Sequence, residues 1–353
     1  MSIFYKLSVK EIQQETKKAV SILFDIPENL QQEFNFIPGQ YITIKKELNG
    51  EEVRRAYSIC SSKKSNAIRI GVKAVDKGTF SIYATTNLKE GDVLEVSPPE
   101  GRFTLNPDNK DQNYLAFAAG SGITPVLSMI KSVLEIENNN KFVLVYGNKS
   151  PDKTMFKTEI DQLKASYPEQ LFVYYTFSEV NDKDALFGRI DTSTVNYIIK
   201  NKHKGTDFDA FFLCGPENMI NTVKTDLRNK GITEKNIHFE LFSTKVEEMD
   251  NSEAFGETLN GETTITIILD EEEETFSMKK EKSILEVALE KGLDAPYSCQ
   301  GGICSSCLAQ VIEGKAVMDV NSILSEEEVE DGLILTCQAH PTTDKITIDY
   351  DAV

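Results

Sequence analysis

The sequence predicts a protein of three domains: an antiparallel β-barrel, an α/β domain built on a parallel sheet, and a small α+β domain. Its 353 residues exceed the roughly 250–300 at which a single hydrophobic core stops growing. Short strand patterns fill the first hundred residues, strand and helix patterns alternate after residue 113, and four of the six cysteines lie beyond residue 262. These three observations together predict the multidomain fold.

The first predicted domain consists of short strands that fit an antiparallel barrel or sandwich. Ala19–Phe24 alternates apolar and polar residues, Tyr41–Lys45 follows the turn signal Pro38-Gly39, and Ala67–Val75 alternates again. Alternation of this kind is typical of strands that bury one face.

The second predicted domain alternates strands with helices, which indicates a parallel sheet. Its predicted strands are Tyr114–Ala118, Phe142–Tyr146, Phe172–Phe177, Ala210–Leu213 and Ile237–Leu241, with helices at Pro125–Glu137 and Met155–Ser166. The polar segment Ser243–Gly261 lacks apolar periodicity and is predicted to be a linker.

The third predicted domain begins with a strand at Thr263–Leu269, followed by an acidic turn at Glu271–Glu274 and a second strand. A helix is predicted to start at Ser283, because Glu286 stands at capping-box spacing from it. The predicted domains therefore span 1–105, 106–242 and 262–353, with the linker at 243–261.

The charge of the chain excludes several classes of function. A net charge of −18 argues against nucleic acid as a partner, because phosphates favour lysine and arginine. No stretch approaches the ~20 apolar residues of a membrane span, and the charged N-terminus lacks a signal-peptide core. The sequence therefore predicts a cytoplasmic protein. The third domain is chemically distinct, with 20 acidic and 6 basic residues from Glu262 onward.

The cysteines of the third domain have the spacing of an iron–sulfur site. Cys299, Cys304 and Cys307 form C-x4-C-x2-C, and Cys337 follows after a long gap, which is the plant-type [2Fe–2S] pattern. Gly301 and Gly302 allow the loop to wrap closely and to point backbone N–H groups at the sulfurs. Four buried free cysteines or a zinc site are the alternatives, although zinc sites usually show paired C-x2-C knuckles.

The segment from Ala295 through Cys307, with Leu335-Thr336-Cys337-Gln338, resembles plant-type ferredoxins over the whole third domain. The resemblance implies a β-grasp-like fold and a [2Fe–2S] cluster held by the four cysteines. Cys60 has no such context and is interpreted as a small buried hydrophobic residue.

Three segments of the first domain carry a second resemblance. They are Arg54-Arg55-Ala56-Tyr57-Ser58 at the end of a predicted strand, Gly71-Val72-Lys73-Ala74-Val75, and Gly78-Thr79-Phe80-Ser81 at the start of a predicted helix. A helix start rich in Gly and Ser offers free N–H groups to a diphosphate. In this order the segments resemble the FAD domain of the ferredoxin–NADP reductase superfamily.

That resemblance implies a role for each segment. Arg55 would pair with the FAD diphosphate, Tyr57 would pack on the flavin, and Ser58 would hydrogen-bond near flavin N5. Val72 and Lys73 would line the flavin and the ribityl chain, while Gly78–Ser81 would hold the diphosphate. The residues implied to bind FAD are Arg55, Ala56, Tyr57, Ser58, Val72, Lys73, Gly78, Thr79, Phe80 and Ser81.

The second domain carries signals for a nicotinamide coenzyme. Gly120, Ser121, Gly122, Thr124 and Pro125 lie between a strand and a helix, where a glycine turn brings backbone close to a diphosphate. A tight strand–helix turn without a ligand is the alternative. Downstream, Cys214-Gly215-Pro216 resembles the nicotinamide-side loop of the superfamily, with Cys214 near the hydride path. Ser58 and Cys214 are therefore the predicted catalytic residues.

The strand end at Asn148 and Lys149 predicts NADPH as the coenzyme, with NADH possible. An NADH site often carries an acid near the adenosine ribose, whereas NADPH prefers a cation, and this strand end has a lysine and no acid. The arginine typical of the superfamily after the third strand is replaced by Glu179, which weakens that preference.

The three domains in this order resemble the reductase components of oxygenases. Such a protein passes electrons from a nicotinamide coenzyme through FAD to the cluster and on to an oxygenase component, and its flavin stands between a two-electron donor and a one-electron acceptor. A free-standing ferredoxin reductase or diaphorase, and a non-enzymatic redox-sensing scaffold, are the alternative functions.

Overall fold

The computed structural model describes residues 3–136, 139–242, 259 and 261–353. They divide into two compact units, of which one lies within residues 4–243 and the other within residues 1–3 and 244–353. The predicted linker 243–261 lies outside the described residues except at positions 259 and 261. Within the described ranges, no helix has the length and apolar character needed to cross a bilayer.

The first unit starts with a six-stranded antiparallel sheet in the order β4-β3-β6-β1-β2-β5. Its strands are β1 Tyr5–Thr16, β2 Ala19–Asp25, β3 Tyr41–Leu48, β4 Glu51–Ser58, β5 Arg69–Lys73 and β6 Val93–Val96, and its helix is α1 Thr79–Thr86. The two edge strands approach each other through an antiparallel bridge between Ile59 and Ile70. The predicted antiparallel first domain is confirmed, and alternate residues such as Ile22 and Ile42 fill its interior.

A six-stranded parallel sheet follows in the order β10-β9-β8-β7-β11-β12. Its strands are β7 Asn113–Ala119, β8 Lys141–Asn148, β9 Leu171–Phe177, β10 Leu186–Phe187, β11 Ala210–Gly215 and β12 Ile237–Leu241. The helices are α2 Ile123–Leu134, α3 Lys157–Ser166, α4 Thr192–Asn196 and α5 Glu217–Asn229. All register pairs within this sheet are parallel, which confirms the predicted α/β domain.

The start of α3 differs from the prediction of a helix beginning at Met155. Phe156 has a φ of 56°, in the left-handed region, and serves as the N-cap of a helix that starts at Lys157. Its backbone N–H donates to Glu15 Oε2 at 3.2 Å. A bulky residue in this conformation interrupts helical geometry, so Met155 and Phe156 are buried ahead of the helix instead of inside it.

The second unit contains a five-stranded sheet in the order β14-β13-β19-β15-β17 and a two-stranded sheet of β16 and β18. Its strands are β13 Glu262–Leu269, β14 Glu272–Lys279, β15 Leu308–Glu313, β16 Ala316–Met318, β17 Leu333–Leu335, β18 Ala339–Pro341 and β19 Lys345–Asp349, and its helices are α6 Ile284–Glu290 and α7 Glu326–Glu330. Ser283 caps α6 by accepting from the Glu286 N–H at 3.2 Å, as its spacing predicted.

The acidic turn is shorter than predicted, and Glu272 to Glu274 belong to β14. Asp270 and Glu271 both have positive φ, of 55° and 63°, which is the backbone of a two-residue hairpin turn. Their N–H groups donate to the Asp351 carboxylate at 2.9 and 2.8 Å. These bonds stabilise a turn that usually requires Asn or Gly.

Candidate functional site

The candidate catalytic residues Ser58 and Cys214 come together at the ends of two sheets. The Ser58 hydroxyl, at the end of β4, donates to Glu240 Oε2 at 3.3 Å. Cys214 in β11 is the register partner of Glu240 in β12. The hydrogen bond and the strand register therefore place three side chains from three strands near one another, with Ser58 and Cys214 buried and Glu240 half-buried.

Glu240 is a further candidate site residue, which sequence reasoning missed. Desolvation of its carboxyl group raises the pKa of Glu240 to about 8, and the hydrogen bond from Ser58 opposes this shift only in part. The carboxyl group is therefore mostly protonated at neutral pH. Burial also raises the pKa of the Cys214 thiol, with a further contribution from Glu240. The available sequence signal was a lone acid inside the strand pattern Ile237–Leu241.

The glycine-rich turn packs directly against the Cys214 loop. Gly120–Gly122 forms a 3-10 turn before α2, and Gly120 has a φ of 56°. A Cβ at Gly122 would lie 2.2 Å from the Cys214 carbonyl oxygen, so only glycine fits there. The predicted residues Ser121, Thr124 and Pro125 complete the turn and the first turn of α2, while Gly215 and Pro216 lead into α5.

Lys73 faces this turn from the barrel. Its Nζ lies 3.7 Å from the position that a Cβ on Gly120 would occupy. Burial lowers the pKa of Lys73, and the charges of Lys149 and Lys153 lower it further. The structure therefore gathers lysines beside the glycine turn, at the carboxyl edge of the parallel sheet. The preceding residue, Val72, is fully buried in the barrel core.

The carboxyl ends of β8 and β9 carry a charged triplet. Glu179 bridges two lysines, with 3.1 Å to Lys149 Nζ and 2.7 Å to Lys153 Nζ. One buried polar atom nearby, Thr176 Oγ1, has no hydrogen-bond partner within the described part of the chain. Buried polar atoms require partners, and ligands of open α/β sheets bind at this edge, so the arrangement fits a polar ligand such as a nucleotide.

The predicted flavin residues lie on β4 and at the start of α1. Arg55 is exposed, Ala56 and Tyr57 are half-buried, and the Tyr57 ring lies 5.6 Å from the buried Phe80 ring. Gly78 is the N-cap of α1, and a Cβ there would lie 2.3 Å from Ser81 Oγ. The start of α1, at Thr79, has no side-chain cap. Its backbone N–H groups are therefore oriented toward an acceptor outside the helix, which fits a diphosphate.

The four predicted cluster cysteines form two hydrogen-bonded pairs, Cys299 with Cys304 and Cys307 with Cys337. Three of the four are buried, and Cys299 is half-buried. The bond to the Cys304 thiol lowers the pKa of Cys299 to about 6, assisted by backbone N–H groups of the loop. One of these is the Gly301 N–H, 3.3 Å from Cys299 Sγ.

This donor set fits the chemistry of a [2Fe–2S] cluster, which takes two thiolates on each of two irons. Among the described residues, no three His, Cys, Asp or Glu side chains are placed to hold a single metal ion. The paired thiols and the backbone N–H groups aimed at sulfur instead match the needs of an anionic two-iron cluster.

Comparison with known protein families assigns all three domains. Residues 6–105 match the oxidoreductase FAD-binding domain, residues 117–225 the oxidoreductase NAD-binding domain, and residues 267–342 the 2Fe-2S iron-sulfur cluster binding domain. The last match includes all four cysteines of the two pairs. These domains define an iron–sulfur flavoprotein oxidoreductase.

Full-length relatives narrow this class. The chain is 38% identical to one of the subunits of the 1,2-phenylacetyl-CoA epoxidase of Escherichia coli, over 100% of this chain and 99% of that protein. It is 33% identical to the 3-ketosteroid-9-alpha-monooxygenase ferredoxin reductase component of Rhodococcus rhodochrous, over 98% and 96% of the two chains. The solved structure of phthalate dioxygenase reductase shares the fold, with a TM-score of 0.61, 24% identity and 98% of each chain covered. The chain belongs to the family of oxygenase reductase components.

The cluster loop generates a prediction that separates its two glycines. Gly302 has a φ of 69°, and a Cβ there would lie 2.5 Å from the Val320 carbonyl oxygen. At Gly301 the nearest atom to a Cβ would be 3.8 Å away, an ordinary contact. We expect Gly302→Ala to cost about 1–3 kcal/mol through backbone strain and overpacking and to reduce cluster retention. Gly301→Ala is the matched control and should retain its cluster.

The measurement is iron and labile sulfide per chain after anaerobic gel filtration, with visible absorption as a second readout. Equal retention in the two variants would contradict the prediction.

Proposed function

We propose that this protein is the reductase component of a phenylacetyl-CoA epoxidase, and that it passes electrons from NADPH through FAD and a [2Fe–2S] cluster to the oxygenase component. The observation that carries the proposal is the full-length similarity to a component of that enzyme, combined with the paired cysteines. The proposal includes the domain spans 1–105, 106–242 and 262–353, with a linker at 243–261. It also includes a cytoplasmic location, because a reducing compartment keeps cysteines free for metal binding.

FAD, when bound, supplies the conversion between a two-electron donor and a one-electron acceptor. For this chain we propose that Ser58 orients the flavin and that Cys214 lies beside the nicotinamide. The contact between Ser58 and Glu240 supports this, because it joins the end of the barrel strand to the strand beside Cys214. The neutral Glu240 carboxyl leaves this locality without an added negative charge at neutral pH.

We propose two phosphate-binding regions. Arg55 and the backbone of Gly78–Ser81 would hold the FAD diphosphate, and the exposed Arg55 side chain supports this role. Lys73, which the sequence resemblance assigned to the flavin and the ribityl chain, would instead join the turn Gly120–Gly122 in holding the coenzyme diphosphate. The 3.7 Å between Lys73 Nζ and the position of a Cβ on Gly120 supports this role. Lys73 is desolvated and has no acidic partner among the described residues, which favours a bound anion.

Reconstitution tests the proposed partner. Purified reductase, NADPH, O2 and the oxygenase component of a phenylacetyl-CoA epoxidase are expected to give the epoxide of phenylacetyl-CoA, with one oxygen atom of O2 in the epoxide and the other reduced to water. The oxygenase of a 3-ketosteroid 9α-monooxygenase is the matched control acceptor. Reduction of a one-electron dye without turnover by the epoxidase component would contradict the proposed partner, and an inability to oxidise NADPH with any acceptor would contradict a reductase function.

The cluster should be dispensable for flavin reduction. We expect Cys304→Ser to lose the cluster, because a ligand thiolate is removed, while NADPH still reduces the flavin completely in a single-turnover mixing experiment. Cys60→Ala, which changes a buried cysteine in the other unit, is the control and should keep both cofactors. Loss of flavin reduction in folded Cys304→Ser protein would count against this order of electron flow.

Glu240 should confer a pH dependence on flavin reduction. Its pKa of about 8 means that the carboxyl ionises as pH rises through this value. A negative charge beside the flavin opposes the arrival of hydride, so the rate should fall from pH 7 to pH 9. Glu240→Gln cannot ionise and should give a nearly flat profile in stopped-flow measurements. An identical fall in the variant would assign the ionisation to another group.

The triplet Lys149, Glu179 and Lys153 should set coenzyme selectivity. We propose that the lysines bind the 2′-phosphate of NADPH, while Glu179 neutralises part of their charge and leaves NADH usable. Lys149→Ala should raise the KM for NADPH roughly fivefold more than that for NADH, because an exposed ion pair contributes at most about 1 kcal/mol. Glu179→Gln should lower the KM for NADPH selectively.

Lys164→Ala, at an exposed position on α3, is the control for charge alone and should leave both KM values unchanged. Equal effects of Lys149→Ala on the two coenzymes would place the 2′-phosphate site elsewhere.

A further inference from the structure

A chain of buried hydroxyl groups leads from the C-terminal end of the protein to the cysteine pair. The Tyr350 hydroxyl donates to Thr336 Oγ1 at 2.9 Å, and Thr336 Oγ1 donates to the Cys307 carbonyl oxygen at 3.0 Å. The backbone N–H of Thr336 donates to the same carbonyl at 3.0 Å. Two hydrogen bonds therefore fix the carbonyl group of one ligand residue, and both come from the residue that precedes Cys337.

Both ends of this hydrogen-bond chain are buried and are held by backbone hydrogen bonds. Thr336 is fully buried and Tyr350 is 7% exposed. The Tyr350 N–H donates to the Ile268 carbonyl at 3.0 Å, and the Thr336 carbonyl accepts from the Leu285 N–H at 3.0 Å. β13 and α6 thus hold the two hydroxyl-bearing residues in place. Burial raises the pKa of the Tyr350 phenol above its usual value, so the hydroxyl remains a donor throughout the physiological range.

We propose that Tyr350 and Thr336 are positioning residues for the cluster, which set the geometry and reduction potential of the Cys307/Cys337 side through this hydrogen-bond chain. The proposal rests on the proposed cluster site. Neither residue touches sulfur in the hydrogen bonds of the structure, so both act through the backbone of Cys307 and Cys337. Groups outside the ligand set commonly tune metal sites in this way.

The direction of the donated hydrogen bonds predicts the sign of the change in the reduction potential. Each hydroxyl donates in the direction of the Cys307 carbonyl oxygen, so its positive hydrogen end is directed toward the backbone of a proposed ligand residue. Reduction adds an electron to a site that already carries four thiolates, and nearby positive dipole ends favour it. Removing the Tyr350 hydroxyl should therefore shift the midpoint potential to a more negative value.

The test compares the holoprotein with Tyr350→Phe, Thr336→Val, Thr336→Ser and the double variant Tyr350→Phe/Thr336→Val. The readouts are the midpoint potential from an anaerobic dye titration, the EPR spectrum of the reduced cluster, and iron per chain. Tyr350→Phe should keep its iron and shift the potential negatively. Thr336→Ser retains the hydroxyl and should resemble the wild type. The double variant should have the same potential as Thr336→Val, because in Thr336→Val the Tyr350 hydroxyl has already lost its acceptor.

Thr263→Val is the matched control for losing a buried hydroxyl, because Thr263 Oγ1 lies in the same unit and has no hydrogen-bond partner among the described residues. It should leave the potential and the EPR spectrum unchanged. The proposal is overturned if Tyr350→Phe matches the wild type in both, if the shifts of the two single variants add in the double variant, or if Thr336→Ser and Thr336→Val behave alike.

If Tyr350→Phe loses iron, its potential cannot be used, and the comparison of Thr336→Ser with Thr336→Val tests the proposal. Different potentials or EPR spectra for these two variants would support the proposal, and identical ones would overturn it. A wild-type protein without a cluster would instead refute the proposed function, before any variant is measured.

Discussion

The hydrogen bond between Ser58 and Glu240 joins the end of a barrel strand to a strand of the parallel sheet. It can form only if the barrel and the sheet keep a fixed position relative to each other. Other contacts support this relation. The Ser128 hydroxyl in α2 donates to the Ser61 carbonyl at 2.7 Å, and Lys131 Nζ donates to the Cys60 carbonyl at 3.0 Å. The helix that follows the glycine turn is thus tied to the segment that follows β4. A flavin bound to the barrel and a coenzyme bound at the turn Gly120–Gly122 would then lie at a defined distance from each other, which hydride transfer requires.

The same junction explains the backbone strain at Phe156. Its left-handed conformation is costly for a bulky residue, and the structure offsets the cost with a hydrogen bond to Glu15 in β1 and with complete burial of the ring. Burial raises the pKa of Glu15, while the bonds from Ser21 and Phe156 oppose the rise. The barrel therefore compensates for the backbone strain at Phe156 in the α/β domain. Contacts of this kind join the two domains into one compact unit.

Much of the fold could be predicted because its signals are local. The apolar residues of β2, the apolar run of β7 and the cysteine spacing each lie within a short window of sequence. The misses depend on distant partners. The later start of α3 depends on Glu15, and the two-residue turn at Asp270 and Glu271 depends on the Asp351 carboxylate. Glu240 escaped prediction because a single acid in a strand forms no motif until the fold places Ser58 beside it.

The cysteine spacing likewise predicts the candidate ligands but not which residues hold them in place. Tyr350 follows β19, which lies between β13 and β15 at the centre of the five-stranded sheet. This placement brings the tyrosine behind Thr336 and the Cys307 carbonyl. A motif of three cysteines in one loop can bind iron only if the fourth, Cys337, is held at a fixed distance from them. The central strand provides that constraint, and the hydroxyl chain carries it from the sheet to the ligand backbone.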